Sequence, residues 1–116
     1  MERTVVIMME EFTGKRSVMT PDCNLYVAGK DTITWDNYTD TDFTVHFDDK
    51  ENPIDTNDIK VPARPEGEPF GKAGPFKLNF KVVSGLQGKK MFYYDLLVPA
   101  ASSVMAADPI VIVHGS

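Results

Sequence analysis

The sequence predicts an all-β fold, a Greek-key β-sandwich of seven to eight short strands, and three observations carry that expectation. Apolar and polar residues alternate with a period of two in one segment after another. Turn-forming breaks separate those segments about every ten to fifteen residues, and no window of helical length keeps an apolar stripe at i, i+3, i+4, i+7. At 116 residues the chain has the commonest size for one domain, so residues 1–116 are read as a single unit with a single core.

Each element follows from its own residues. Val5, Val6, Ile7, Met8 and Met9 form a first apolar run. Leu25 and Val27 alternate with Asn24 and Tyr26 in a second strand that ends at Gly29-Lys30-Asp31. Ile33 and Trp35 alternate with Thr32, Thr34 and Asp36 in a third, and Phe43, Val45 and Phe47 with Thr44, His46 and Asp48 in a fourth. Such alternation places one set of side chains on a buried face and the other in water. Over residues 48–74 the pattern dissolves: Pro53, Pro62, Pro65 and Pro69 withhold ladder donors, and Gly67, Gly71 and Gly74 loosen the backbone. A long irregular excursion is expected there, with Ile59 and Val61 as a short edge strand. Phe76, Leu78, Phe80 and Val82 resume the alternation, Ser84-Gly85-Leu86-Gln87-Gly88 turns, and residues 91–97 return, which predicts a two-strand hairpin. A loop of small residues over 99–108 leads through Pro109 to a closing strand over 110–114. A meander would not need the long central crossing, which favours a Greek key over an up-and-down barrel.

Composition excludes several classes of function. The net charge of −5 repels a phosphate backbone, and the basic residues are scattered, so nucleic acid is not an expected partner. The longest nearly apolar stretches, 4–9 and 96–107, fall short of the roughly 20 residues that cross a bilayer, so no membrane span is expected. Met1-Glu2-Arg3-Thr4 carries an acid where a secretory leader has basic residues. As written the chain reads as cytoplasmic, and as periplasmic or secreted if a leader precedes it. A lone Cys23 has no partner for an internal disulfide.

The segment Met19-Thr20-Pro21 and then Leu25-Tyr26-Val27-Ala28-Gly29-Lys30-Asp31-Thr32-Ile33-Thr34-Trp35-Asp36-Asn37 resembles the cupredoxin stretch P-x-x-l-x-V-x-x-G-D-x-V-x-W-x-N, with Lys30 inserted between Gly29 and Asp31. Phe43-Thr44-Val45-His46-Phe47 resembles the strand after that Asn. Gly74-Pro75-Phe76 to Phe80 and then 91–95 resemble the f-x-F-x-f and Y-x-Y-x-C pair, and Ile110-Val111-Ile112-Val113 the last strand. The resemblance covers residues 19–114 and implies a cupredoxin-like sandwich. A blue-copper centre needs a thiolate, two imidazoles and a weak axial Met. At the matching positions stand Phe43 for the first His, Asp95 for the Cys, and Val98, Pro99 and Ala100 for the second His; Met105 alone suits its place. The resemblance is therefore to a member of the family that has lost its type 1 copper ligands, and no cofactor is expected.

The remaining candidates are weighed on their chemistry. His46 and His114 fall opposite core-facing neighbours and read first as surface histidines. Cys23 reads as a small buried hydrophobe, with no Cys-His-Asn signature around it. Cys23, His46 and Met105 remain weak candidates for a metal site outside the usual one, the basis of a second reading as a metal-handling accessory protein. Asp36, Asp40, Asp42, Asp48, Asp49, Glu51, Asp55 and Asp58 lack the D-x-[DN]-x-[DN]-G calcium loop and read as a solvated face. Asp95 supports a third reading, a small enzyme, if a concave pocket adjoins it. No G-x-S-x-G, P-loop, H-E-x-x-H or C-x-x-C pattern occurs, so catalysis is the minority reading and no catalytic residue is assigned. The aromatics exceed what one sheet face buries. Tyr38, Phe70 and Tyr94 are expected with Leu96, Leu97, Val98, Val104 and Met105 on an apolar rim, since residues 96–107 hold no charge; an inward-folded plug is the alternative. The expected function is a metal-free binding or assembly module contacting a protein or small molecule through this rim, with Asp95 at its edge. Homo-oligomers through edge strands are also open.

Overall fold

A computed structural model of the chain describes residues 1–48, 50–98, 104–105 and 109–115, the pair 104–105 through its backbone alone. The described elements are β1 (Glu2–Phe12), β2 (Lys15–Met19), β3 (Cys23–Tyr26), β4 (Thr32–Asn37), β5 (Phe43–Phe47), β6 (Ile59–Val61), β7 (Gly71–Lys77), a single helical turn α1 (Phe80–Val83), β8 (Lys89–Leu97), β9 (Val104–Met105) and β10 (Ile110–His114). They make two five-stranded sheets, ordered β7-β4-β1-β2-β9 and β3-β10-β8-β5-β6. Both sheets are mixed: β1 runs parallel to β4, β2 to β9 and β3 to β10, while the other pairs are antiparallel. Parallel neighbours need a crossover, so the chain passes repeatedly from one sheet to the other. No described helix is long and apolar enough to cross a membrane.

The alternation read from the sequence selects the inner faces. In β5 the burial order is Phe43, Val45 and Phe47 in, with Thr44 and His46 out; in β8 it is Phe92, Tyr94 and Leu96 in, with Tyr93, Asp95 and Leu97 out. These join Val5, Ile7, Leu25, Ile33, Trp35, Val61, Val111 and Val113 in one core, each of those eight at most 1% exposed. Burying one such side chain is worth roughly 1.5–3 kcal/mol, and an exposed ion pair such as Lys90 with Glu51 about 0–1. The core therefore dominates the stability.

The all-β sandwich stands, its ten described strands roughly matching the seven to eight expected, with the run at Val5 extending over Glu2–Phe12 and turning back as β2. The two residues between them, Thr13 and Gly14, both have positive φ, the sign pattern of a type I′ hairpin turn. Three finer expectations are corrected. β9 adds a short strand inside the expected 99–108 loop. The irregular excursion ends at Gly71, since Gly71–Lys77 pairs with β4.

The third correction is the largest. Phe76 and its neighbours do not form a hairpin with β8; β7 belongs to one sheet and β8 to the other. The alternation of Phe76, Leu78, Phe80 and Val82 breaks at Asn79, whose side chain accepts the Lys81 N–H and opens a helical turn. An Asn with a free side-chain acceptor offers the backbone a cap in place of a ladder. Val83 then reaches the core and Phe80 is left exposed.

Candidate functional site

The end of the sandwich where β4 stops and β5 starts is organised by Asn37. Its side chain is fully buried, donates to the carbonyls of Thr41 at 2.8 Å and Pro62 at 3.1 Å, and accepts from the Thr39 N–H at 2.9 Å and the Thr39 hydroxyl at 2.7 Å. One amide thus fastens the 38–42 loop and the segment after β6. Gly71, opposite Asn37 in the ladder, lies so close to this segment that a Cβ would sit 2.1 Å from the Pro62 carbonyl oxygen. Beside it Tyr38, exposed, and Phe70, half-buried, pack ring on ring with centroids 5.1 Å apart.

The structure brings Tyr38 and Phe70 together and places Tyr94 elsewhere. Tyr94 is 3% exposed and packs between Phe47, at 5.1 Å, and Trp35, at 6.0 Å. Residue parity is the reason: Tyr94 shares the inner face of β8 with Phe92 and Leu96. Burial raises its phenol far above the ordinary value, against the opposing effect of the Trp35 hydrogen bond. Of the expected rim, Leu97 is exposed on the outer face opposite Thr44 and Val98 is half-buried. Residues 99–103 and 106–108 and the Met105 side chain lie outside the described residues.

Asp95 stands inside β8, exposed on the outer face, with His46 directly across the ladder. The His46 ring makes a 2.6 Å contact through Nδ1 with Asp58, whose own φ is +47°. Cys23 is buried, and burial pushes its thiol up to about 11, with the Arg3 charge opposing and that of Asp31 reinforcing the rise. Cys23 and His46 therefore point to opposite sides of the second sheet.

The donors at this end do not fit a blue-copper centre. The inward positions of β5 and β8 are Phe43, Val45, Phe47, Phe92, Tyr94 and Leu96, which offer phenyl, phenol and alkyl groups, while His46 and Asp95 face outward. Residues 98–107 contain neither His nor Cys. The acidic residues read as a calcium candidate are spread over separate partners: Asp40 on Arg16, Asp42 on the Ala63 N–H, Asp48 on the Lys50 N–H, Asp58 on His46. Among the described residues no three His, Cys, Asp or Glu gather as a metal site.

The most distinctive surface was not singled out from the sequence. On the outer face of the second sheet Tyr93 is 62% exposed, Leu97 49%, Met91 47% and Tyr26 43%. Ile110 stands across from Tyr93 and Ile112 across from Met91. Tyr26 stacks on His114 at 4.4 Å, and Asn24 holds that imidazole at 2.9 Å. The signal lay in β8 and β10 themselves. Met91-Phe92-Tyr93-Tyr94, Leu96-Leu97 and Ile110-Val111-Ile112-Val113 are apolar on both parities, the pattern of strands covered on both faces.

No family model matches the chain, and no curated protein matches it. Solved structures do. A laccase from Pediococcus acidilactici superposes over 99% of this chain with a TM-score of 0.50 and 14% identity. CueO, a bacterial laccase-like multi-copper oxidase from Ochrobactrum sp., does so over 99% with a TM-score of 0.51 and 9% identity. The chain spans 26% and 27% of those proteins, about a quarter of each. What is shared is the fold: two packed β-sheets of the cupredoxin-like kind found in multicopper oxidase domains.

Proposed function

We propose that this cupredoxin-like domain works as a metal-free docking module rather than as an electron carrier, and that its contact surface is the outer face of the second sheet. The observation that carries this reading is the division of β8 into two apolar faces. Its inner row fills the core with the aromatic and alkyl side chains of Phe92, Tyr94 and Leu96, and its outer row presents Met91, Tyr93 and Leu97 to solvent. Soluble domains seldom leave several hundred Å² of contiguous apolar surface uncovered, and where they do the patch is commonly a contact site. The expected rim at 96–107 contributes Leu97 to this surface, and Tyr38 with Phe70 forms a smaller apolar pair of its own.

Two measurements test the reading. Titration with Cu(II) is expected to leave the visible spectrum without an intense thiolate-to-copper band; such a band at one copper per chain overturns the metal-free assignment. Retention of dilute protein on a phenyl matrix is expected to fall for Tyr93→Lys and Met91→Lys, with near-ultraviolet circular dichroism unchanged. Unaltered retention in both variants removes the outer face as the docking surface.

A further inference from the structure

The outer row of β8 reads Lys89, Met91, Tyr93, Asp95, Leu97. A cation stands at one end of an apolar centre and an anion toward the other. Both are exposed, and neither has an ion-pair partner among the described residues; the nearest outward neighbours are His114 across from Lys89 and His46 across from Asp95. We infer that the occupant of this face is a second copy of the chain, docked about a two-fold axis that lies in the face and crosses β8 at right angles near Phe92. This rests on the docking reading above and supplies its partner.

The charges select that axis over the alternative. Two sheet faces can be brought together by a two-fold running along β8 or by one crossing it. The first sets Lys89 over Lys89 and Asp95 over Asp95 of the other copy, and like charges face each other at both ends. The second reverses the row, so that Lys89 of each copy meets Asp95 of the other and Met91 meets Tyr93. Isologous contacts of this kind are self-complementary. Lys89 and Asp95 each lie three residues from the axis, about 10 Å at 3.4 Å per residue. A crossing of about 30°, usual for packed sheets, displaces their partners by only about 5 Å, within reach of a lysine side chain. On β10 the same operation lays Ile110 against Ile112, extending the apolar centre sideways.

The net charge of −5 per chain opposes association, but that charge is spread over the whole surface and is screened beyond about 8 Å at physiological ionic strength. The Lys89 and Asp95 contacts are shorter than this and survive. Charge at the ends sets orientation, and the apolar rows supply most of the affinity.

Sedimentation equilibrium over a concentration series is the test. The intact chain is expected to rise from 12.9 kDa toward twice that mass, and Tyr93→Lys to remain at the monomer mass. K89D and D95K, each of which sets like charges face to face at both ends, are each expected to weaken association by about tenfold or more. The double exchange K89D/D95K is expected to restore it. Melting temperature and near-ultraviolet circular dichroism establish that each variant is folded; if D95K alone unfolds, K89E with D95R takes the place of the double exchange. A chain that stays monomeric at all concentrations overturns the inference, as does a dimer indifferent to the single exchanges or one the double exchange fails to restore. Retention on the phenyl matrix is read on dilute monomer, so a monomeric chain that still loses retention in Tyr93→Lys refutes the second copy and leaves the docking surface standing.

Discussion

The indole N–H of Trp35 donates to the hydroxyl of Tyr94 across 3.4 Å in the centre of the core, with the two rings edge to face at 82°. One residue comes from β4 in the first sheet and the other from β8 in the second, so this contact ties the layers together with a polar bond where apolar packing does the rest.

Removing the hydroxyl tests that tie. Tyr94→Phe leaves the buried indole N–H unpaired and is expected to cost about 1 kcal/mol in urea unfolding, with a change in Trp35 fluorescence. The intact phenol also links stability to alkali. Its folded value is raised above the ordinary 10.0 by burial, so the contribution is fully present below pH 10 and is lost as pH climbs toward the folded value. Tyr94→Phe is expected to flatten the alkaline limb of the stability curve; an unchanged limb refutes the assignment.

Asp31 behaves in the opposite sense. It is 2% exposed, accepts the Tyr26 N–H and the Arg3 Nε, each at 3.0 Å, and has the Met1 amine 3.3 Å away. Burial by itself raises its carboxyl, but those hydrogen bonds outweigh burial and hold it below the ordinary 3.8. Stability from a lowered carboxyl is present above the unfolded value and disappears as pH falls through the folded one. Asp31→Asn is expected to cost about 1–2 kcal/mol at pH 7 and less as the pH approaches 3. A loss that does not shrink in acid argues for a purely steric role.

Cys23 is expected to be chemically quiet. With its thiol pushed up to about 11 from 9.0, the thiolate fraction at pH 8 falls by about a hundredfold, and so should the rate of alkylation by iodoacetamide relative to the chain in denaturant. Labelling at comparable rates in both states would show a thiol open to solvent.

The Asn37 amide and the glycine opposite it are expected to be among the least tolerant positions. Asn37→Ala removes four hydrogen bonds at once, leaving the Thr39 hydroxyl only the Thr41 carbonyl at 3.1 Å, and should cost about 2–4 kcal/mol by chemical denaturation. Asn37→Asp keeps the acceptor but presents a carboxylate to the carbonyls of Thr41 and Pro62, and is expected to cost nearly as much. Gly71→Ala drives a methyl group into the Pro62 and Ala63 carbonyl oxygens, and its measured loss should exceed that of the unobstructed Gly85→Ser.

Side-chain direction was legible residue by residue, because strand alternation is a local property of the backbone. Phe43, Val45 and Phe47 point inward as their spacing requires, and so do Ile33 and Trp35. The same alternation, carried to Tyr94 and Asp95, puts the tyrosine in the core and the aspartate outside, where analogy with a metal-binding loop had placed both at a rim. Which strand lies beside which was not legible in the same way. Phe76 to Val82 reads as a strand adjacent to β8, yet Asn79 caps a helical turn and β7 pairs with β4.

By itself, then, the sequence determined the all-β class and the inner and outer rows of most strands, both of which depend on residue type and a period of two. Only the tertiary structure decided the strand neighbours and the exposed apolar face of Tyr26, Met91, Tyr93 and Leu97. A pairing is chosen by loop closure and burial summed over the whole chain, and the outer row of one strand becomes a surface only when β3, β10 and β8 are set side by side.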